Sequence, residues 1–138
     1  MGLNDIDREE LVRYRLENAK ATLTEVSVLI ENKFYRTAAN RLYYACYYAA
    51  MALFVNDGYE AHTHSGVKSL LNQYYFNQGK IDKSLGKMYG QVFNMRMTGD
   101  YEDLINFNEN DIKPFIAPAG EFIATIEKLI SLSHKKHN

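Results

Sequence analysis

The segment that most limits how this chain can fold is Tyr35 to Asn56, YRTAANRLYYACYYAAMALFVN. Its spacing predicts a helix over about 35–56, with Ala38, Leu42, Ala45, Ala49 and Ala52 on one side. Those side chains are mostly small, so a neighbouring helix can approach closely. Tyr43, Tyr47 and Phe54 fall near the opposite side. A helix that is apolar on both sides has to be covered on both. The rest of the chain must therefore surround it with further helices, or a second copy must cover what remains. Asp57-Gly58 supplies the stop.

The flanking segments read as helices too. Leu16, Ala19, Leu23, Val26 and Ile30 recur at three- and four-residue steps, predicting a helix over about 8–32. Asp7 and Glu10 have capping-box spacing for its start. A tight connection near 31–35 turns the chain back antiparallel. A third helix is expected over 65–78 before Gly79. A fourth is capped by Asp82, runs to Met97 or Thr98, and ends at Gly99. Residues 99–110 read as a polar loop. The last helix is expected from about Asp111 to Leu132, bent or interrupted at Pro118, with 133–138 fraying. No stretch alternates in the way a strand requires. The expected architecture is all-α, an antiparallel up-and-down bundle of four to five helices forming one domain over 1–138.

Composition removes several alternatives. A chain of 138 residues can bury a core without staples. The single cysteine, Cys46, forms no internal disulfide, so nothing points to an oxidising compartment. The opening MGLNDIDREEL is acidic where a secretory signal is basic and then apolar, and Ile6 stands where a myristoylation signal wants Ser or Thr. No apolar run reaches the ~20 residues of a membrane span. A cytoplasmic, membrane-free protein is the expectation. Sixteen Lys and Arg against seventeen Asp and Glu give a net charge of −1, which does not support indiscriminate nucleic-acid binding. The charge is unevenly spread, with Lys68, Lys80, Lys83, Lys87 and Arg96 in 62–98 and a run of acids in 99–111.

The residues that could carry chemistry are few. His62-Thr63-His64 places two imidazoles together, but no nearby Cys or His completes a zinc set, so no metal and no cofactor is expected. Cys46, in mid-helix without a basic partner, reads as core. A phosphate loop, a nucleophile elbow and a dinucleotide fingerprint are all missing from the sequence. What remains is Arg96-Met97-Thr98-Gly99-Asp100-Tyr101. In a functional reading, Arg96 meets a phosphate or an acidic partner and Tyr101 stacks or hydrogen-bonds. In a structural reading, Arg96 and Asp100 form an ion pair at a helix end.

Three segments in order give the chain a family likeness. Ala38-Ala39-Asn40-Arg41-Leu42-Tyr43-Tyr44-Ala45 resembles the N-R-x-Y-Y-A segment of the HEPN family. Thr63-His64-Ser65-Gly66-Val67 resembles its T-H-x-G-V entry to the third helix, and Arg96 through Asp100-Tyr101 resembles its R-x-x-x-D-Y ending. The likeness covers about 8–130. It implies a helical bundle that often dimerises, and proteins that include ribonucleases, toxins of toxin–antitoxin pairs and non-catalytic partners, many encoded beside minimal nucleotidyltransferases. Its ribonucleases resemble one another in an Arg followed four to six residues later by His. Arg96 matches that arginine, whereas Asp100 and Tyr101 stand where the histidine is due.

The resemblance and the residues together set the functional expectation: a non-catalytic or degenerate HEPN-type regulatory module, homodimeric and paired with a nucleotidyltransferase-like protein. One alternative is a metal-independent ribonuclease toxin in which His64 supplies the missing imidazole beside Arg96. Another is RNA or nucleotide binding without turnover. The residues singled out are Arg96 and His64 as catalytic candidates, and Asn40, Arg41, Tyr44, Arg96, Asp100 and Tyr101 as a binding or structural cluster.

Overall fold

The computed structural model describes residues 4–101 and 106–136, the side chains of 99–101 and 135–136 excepted. Its elements are α1 (Asp5–Glu31), α2 (Tyr35–Asp57), α3 (His64–Leu71), α4 (Lys83–Tyr101), the short α5 (Glu109–Ile112) and α6 (Ile116–Lys136). No strand occurs among the described residues. The bundle is all-α, as the periodicity predicts.

Helix α2 is the centre of the molecule and packs against each of the other five helices. Ala38, Leu42, Ala45, Ala49 and Ala52 are all fully buried, with α1 as the most extensive neighbour. Tyr43 and Phe54, on the other side, are buried as well. Both sides of α2 are thus covered within one chain. What stays half-buried is Tyr47, at the edge of that second side, and a third stripe beyond it: Tyr44, Tyr48, Met51 and Val55.

The α1–α2 connection is three residues long, with Lys33 in the left-handed region at φ 64°. At the far end of α2, Gly58 takes φ 84° and its N–H returns to the Phe54 carbonyl, the expected left-handed stop.

Several boundaries differ from expectation. Helix α1 is capped by Asn4, whose Oδ1 accepts from the Asp7 N–H at 2.8 Å, and not by an Asp7–Glu10 box. Asparagine caps as well as aspartate, and starting earlier puts Asp5 and Asp7 in the first turn, where the helix dipole favours acids. Helix α3 gives way to a π-helical turn over Asn72–Phe76, which buries the adjacent Tyr75 and Phe76 together. Helix α4 runs through Gly99 to Tyr101, because a helix-interior glycine costs only about 1 kcal/mol and does not by itself end a helix. The supposed loop 99–110 is therefore helical at its start, and it ends in a capping box between Asn108 and Asp111. The interruption assigned to Pro118 occurs earlier, as a 3-10 turn over Lys113–Phe115, leaving Pro118 in the first turn of α6 where its missing N–H is tolerated. Residues 133–136 do not fray but extend α6, with His134 held by Asn56.

Candidate functional site

Thr63 begins the site. Its side chain caps α3 by accepting the Gly66 N–H at 2.9 Å, and this fixes His64 as the first residue of the helix. His64 is half-buried against α2, while His62 remains exposed. The His64 Nδ1 lies 2.8 Å from the Tyr43 hydroxyl. Its ring centroid is 4.7 Å from that of Tyr47, 5.6 Å from Tyr43 and 5.8 Å from Tyr44. Tyr43, Tyr44 and Tyr47 can surround one imidazole because positions three and four apart share a helix face.

Arg96 reaches the same tyrosines from α4. Its guanidinium carbon stands 5.3 Å from the Tyr44 centroid and 5.5 Å from that of Tyr43. A guanidinium over an aromatic face is attracted by the ring quadrupole, by about 0.5–2 kcal/mol depending on desolvation. Phe93, one turn earlier, meets the Tyr43 ring edge-on at 5.9 Å and carries Lys68 at 4.9 Å over its own ring. An imidazole, a guanidinium and an ammonium thus gather around one aromatic patch. The two catalytic candidates, separated by thirty-two positions in sequence, converge on Tyr43 and Tyr44.

Electrostatics keep Tyr43 a phenol. Burial pushes its pKa up to about 12, against a lowering pull from Tyr89 and from the Arg96 charge. Its hydroxyl therefore carries a proton at physiological pH and can donate to His64 Nδ1. Burial likewise pushes the Cys46 thiol up to about 12, so Cys46 belongs to the core and is not a nucleophile.

The other predicted residues divide. Tyr44 belongs to the patch. Arg41 does not: it turns to α1, where Nε meets Glu25 Oε2 at 3.0 Å and a second nitrogen meets Thr22 Oγ1 at 3.4 Å. Asn40 is half-buried one turn before Tyr44. The side chains of Asp100 and Tyr101, and with them the expected Arg96–Asp100 ion pair, lie outside the described residues. Sequence reasoning placed Tyr43 and Tyr47 in the packing alone and missed their contact with His64. Their spacing of four, alongside Tyr44, was the signal. Among the described residues no group of three or more His, Cys, Asp and Glu could hold a metal, and no helix is long and apolar enough to cross a membrane.

A family model described as the HEPN domain matches residues 12–129. The chain belongs to the HEPN family. HEPN relatives include a UPF0332 protein of Thermotoga maritima, 37% identical over 90% of this chain and 94% of that protein. Another is "Putative toxin MJ0605" of Methanocaldococcus jannaschii, 31% identical over 93% of this chain and 94% of that one. The crystal structure of TT1696 from Thermus thermophilus superposes with a TM-score of 0.72 at 18% identity. That match covers 85% of this chain and 96% of that chain, and the likeness is one of fold alone.

Proposed function

We propose that this HEPN protein binds single-stranded RNA or nucleotides through the Arg96–His64–Tyr44 face and turns them over inefficiently or not at all, as a regulatory module of toxin–antitoxin type. The observation that carries the reading is the convergence of Arg96 and His64, from two helices, on the tyrosines of a third. Guanidinium groups recognise phosphate, and half-buried tyrosine faces offer a base somewhere to stack. Lys68 adds positive charge beside them. No histidine follows Arg96 at four to six residues, which argues against the usual HEPN cleavage chemistry. Arginine stays protonated at neutral pH and cannot shuttle a proton itself.

In this reading the protein works as a homodimer, using the half-buried Tyr48, Met51 and Val55 of α2, and it is paired with a nucleotidyltransferase-like partner in the cytoplasm. Sedimentation should give about twice the 15.9 kDa chain mass. The neighbouring gene's product should co-purify.

The second reading is metal-independent cleavage with His64 as the proton-transfer group. It is favoured by the closeness of both Arg96 and His64 to Tyr43, and by the toxin wording in the names of two Methanocaldococcus jannaschii relatives. One experiment separates the two. Rigorously nuclease-free protein is mixed with a short RNA pool, and both binding and cleavage are followed for wild type, Arg96→Ala, His64→Ala and Tyr44→Ala. The expected result is intact RNA and a roughly tenfold loss of affinity in Arg96→Ala, the size of one charge-assisted contact. Cleavage that disappears in both Arg96→Ala and His64→Ala would move the protein to the second reading. Affinity unchanged by all three substitutions would reject both.

A further inference from the structure

The hydrogen bonds at the C-terminal end of α2 fix their own direction. An ionised carboxylate only accepts, so the Asn56 atom 2.8 Å from Asp57 Oδ1 is the amide nitrogen. Ser133 Oγ gives its proton to the Ile130 carbonyl at 2.9 Å and accepts the second Asn56 amide hydrogen at 3.0 Å. Asn56 Oδ1 is left to accept, and the donor 3.0 Å away is His134 Nε2–H. A neutral imidazole protonated at Nε2 carries its lone pair on Nδ1. That lone pair faces Glu9 Oε1 across 3.9 Å. Two acceptors thus stand opposite each other, and the group that completes them is a donor, best a cation.

This edge belongs to an open hollow of about 820 Å³, within the ~300–1,000 Å³ of small-molecule sites. Arg8, next to Glu9 on α1, lines it too. The Arg8 side chain is half-buried, yet among the described residues it makes no hydrogen bond or ion pair. A half-buried guanidinium without an acceptor is as incomplete as the Glu9–His134 pair, with the opposite sign. Two helix stops deliver another part of the wall. Tyr59 follows Gly58 at φ 84°, Lys80 follows Gly79 at φ 73°, and both side chains line the hollow. Tyr59 is braced by the stacked ring of Tyr74 at 4.6 Å, and Lys80 lies over the Tyr75 ring at 5.8 Å.

Charge decides the class of guest. Asp5, Glu9 and Asp57 line the hollow against Arg8 and Lys80. A purely anionic guest meets three carboxylates, and a purely cationic one meets a guanidinium and an ammonium; like charges brought together oppose binding. A guest that carries both signs satisfies both unmet groups. Arg8 and Glu9 are consecutive residues of one helical turn, which calls for two guest charges only a few bonds apart. We infer that this hollow binds a free amino acid, with its α-carboxylate on the Arg8 guanidinium and its α-ammonium between Glu9 and His134 Nδ1. Tyr59 and Val12 supply an apolar wall for its side chain. The site shares no residue with the Arg96–His64 face, and the inference goes beyond the RNA-binding reading without resting on it.

The test uses full-length protein labelled with 15N-histidine at about pH 8, where an ordinary imidazole is neutral. Each of the standard L-amino acids is titrated in turn to about 10 mM, a ceiling that reaches weak affinities. The His134 signals are assigned by their loss in His134→Gln. At least one amino acid should shift them saturably. Its methyl ester, which lacks the carboxylate, and its N-acetyl derivative, which lacks the ammonium, should each bind about tenfold more weakly or worse, the size of one charge-assisted contact. Arg8→Gln should lose a similar factor for the free amino acid and nothing further for the ester. Glu9→Gln should do the same with respect to the N-acetyl derivative, both variants keeping the helical circular dichroism spectrum. A set of titrations in which no amino acid binds overturns the inference. So does binding that both derivatives retain, or that Arg8→Gln and Glu9→Gln leave unchanged.

Discussion

His134 Nε2 lies 3.0 Å from Asn56 Oδ1, tying the end of α6 to the end of α2 across 78 residues of sequence. The Asn56 amide in turn donates to Ser133 Oγ at 3.0 Å and to Asp57 Oδ1 at 2.8 Å, and the Tyr75 hydroxyl donates to Asp57 Oδ2 at 2.5 Å. This network borders the open hollow of about 820 Å³, lined also by Arg8, Glu9 and Lys80, at the C-terminal end of α2. Asp57→Ala leaves the phenol of a 1% exposed tyrosine without its acceptor and should destabilise the protein by about 1–3 kcal/mol. His134→Ala, at a half-exposed site, should cost no more than about 1 kcal/mol. Urea unfolding checks the order; a larger loss for His134→Ala would mean that the network is held from α6.

Two glycines on α4 should respond in opposite directions. A Cβ on Gly86 would stand 2.9 Å from the Phe76 ring, whereas one on Gly90 would meet only the flexible end of Lys68 at 3.9 Å. Gly90→Ala should gain up to about 1 kcal/mol of helix propensity. Gly86→Ala should lose about 1–3 kcal/mol by overpacking a buried ring. Thermal melts of the two variants, side by side, decide this. Equal effects would mean that Phe76 yields freely.

Stability should fall in alkali. The folded state raises Cys46 from its ordinary 9.0 to about 12 and Tyr43 from 10.0 to about 12, and it raises Tyr75 and Tyr89 also. Raised folded values mean that the unfolded chain releases these protons first. The stabilisation is therefore complete below about pH 9 and is lost progressively between about pH 9 and 12. Cys46→Ala removes the earliest of these ionisations and should delay the onset toward about pH 10. Denaturant midpoints across this range test it. A flat profile through pH 11 would contradict the burial of these groups. The same burial predicts that Cys46 reacts with a thiol reagent only upon unfolding.

Much of this was legible in the sequence. Ala38, Leu42, Ala45, Ala49 and Ala52 declare the α2 seam because local periodicity is enough to define a buried stripe. His64 was named for its residue type, but its partners were not, since Tyr43 and Tyr47 reach it only through the turn that brings α3 back along α2. Arg41 was grouped with Arg96 because each stands in a segment of the family likeness, and the two turn to different sides of the bundle. Asn56 and His134 gave no local sign at all, because a contact between chain segments this far apart leaves no periodic trace. Gly99 misled because glycine marks a helix end only where the chain turns into the left-handed region, as at Gly58.

The three-residue turn at Asn32–Phe34 has a consequence for the order of assembly. It joins the two longest helices, of 27 and 23 residues, into a hairpin whose seam is the most extensive in the molecule, so its closure loses little chain entropy. That hairpin should be the folding nucleus, with α6 docking after the rate-limiting step. Val26→Ala in the seam should then slow refolding, while Ile126→Val in α6 should chiefly hasten unfolding. Stopped-flow chevrons showing the reverse would place the nucleus elsewhere. If the order holds, α2 meets the earlier-made α1 before the last-made α6. The Asn56–His134 bond then closes a bundle whose centre is already built, and the junction of the α2 and α6 C-terminal ends is the part that opens first.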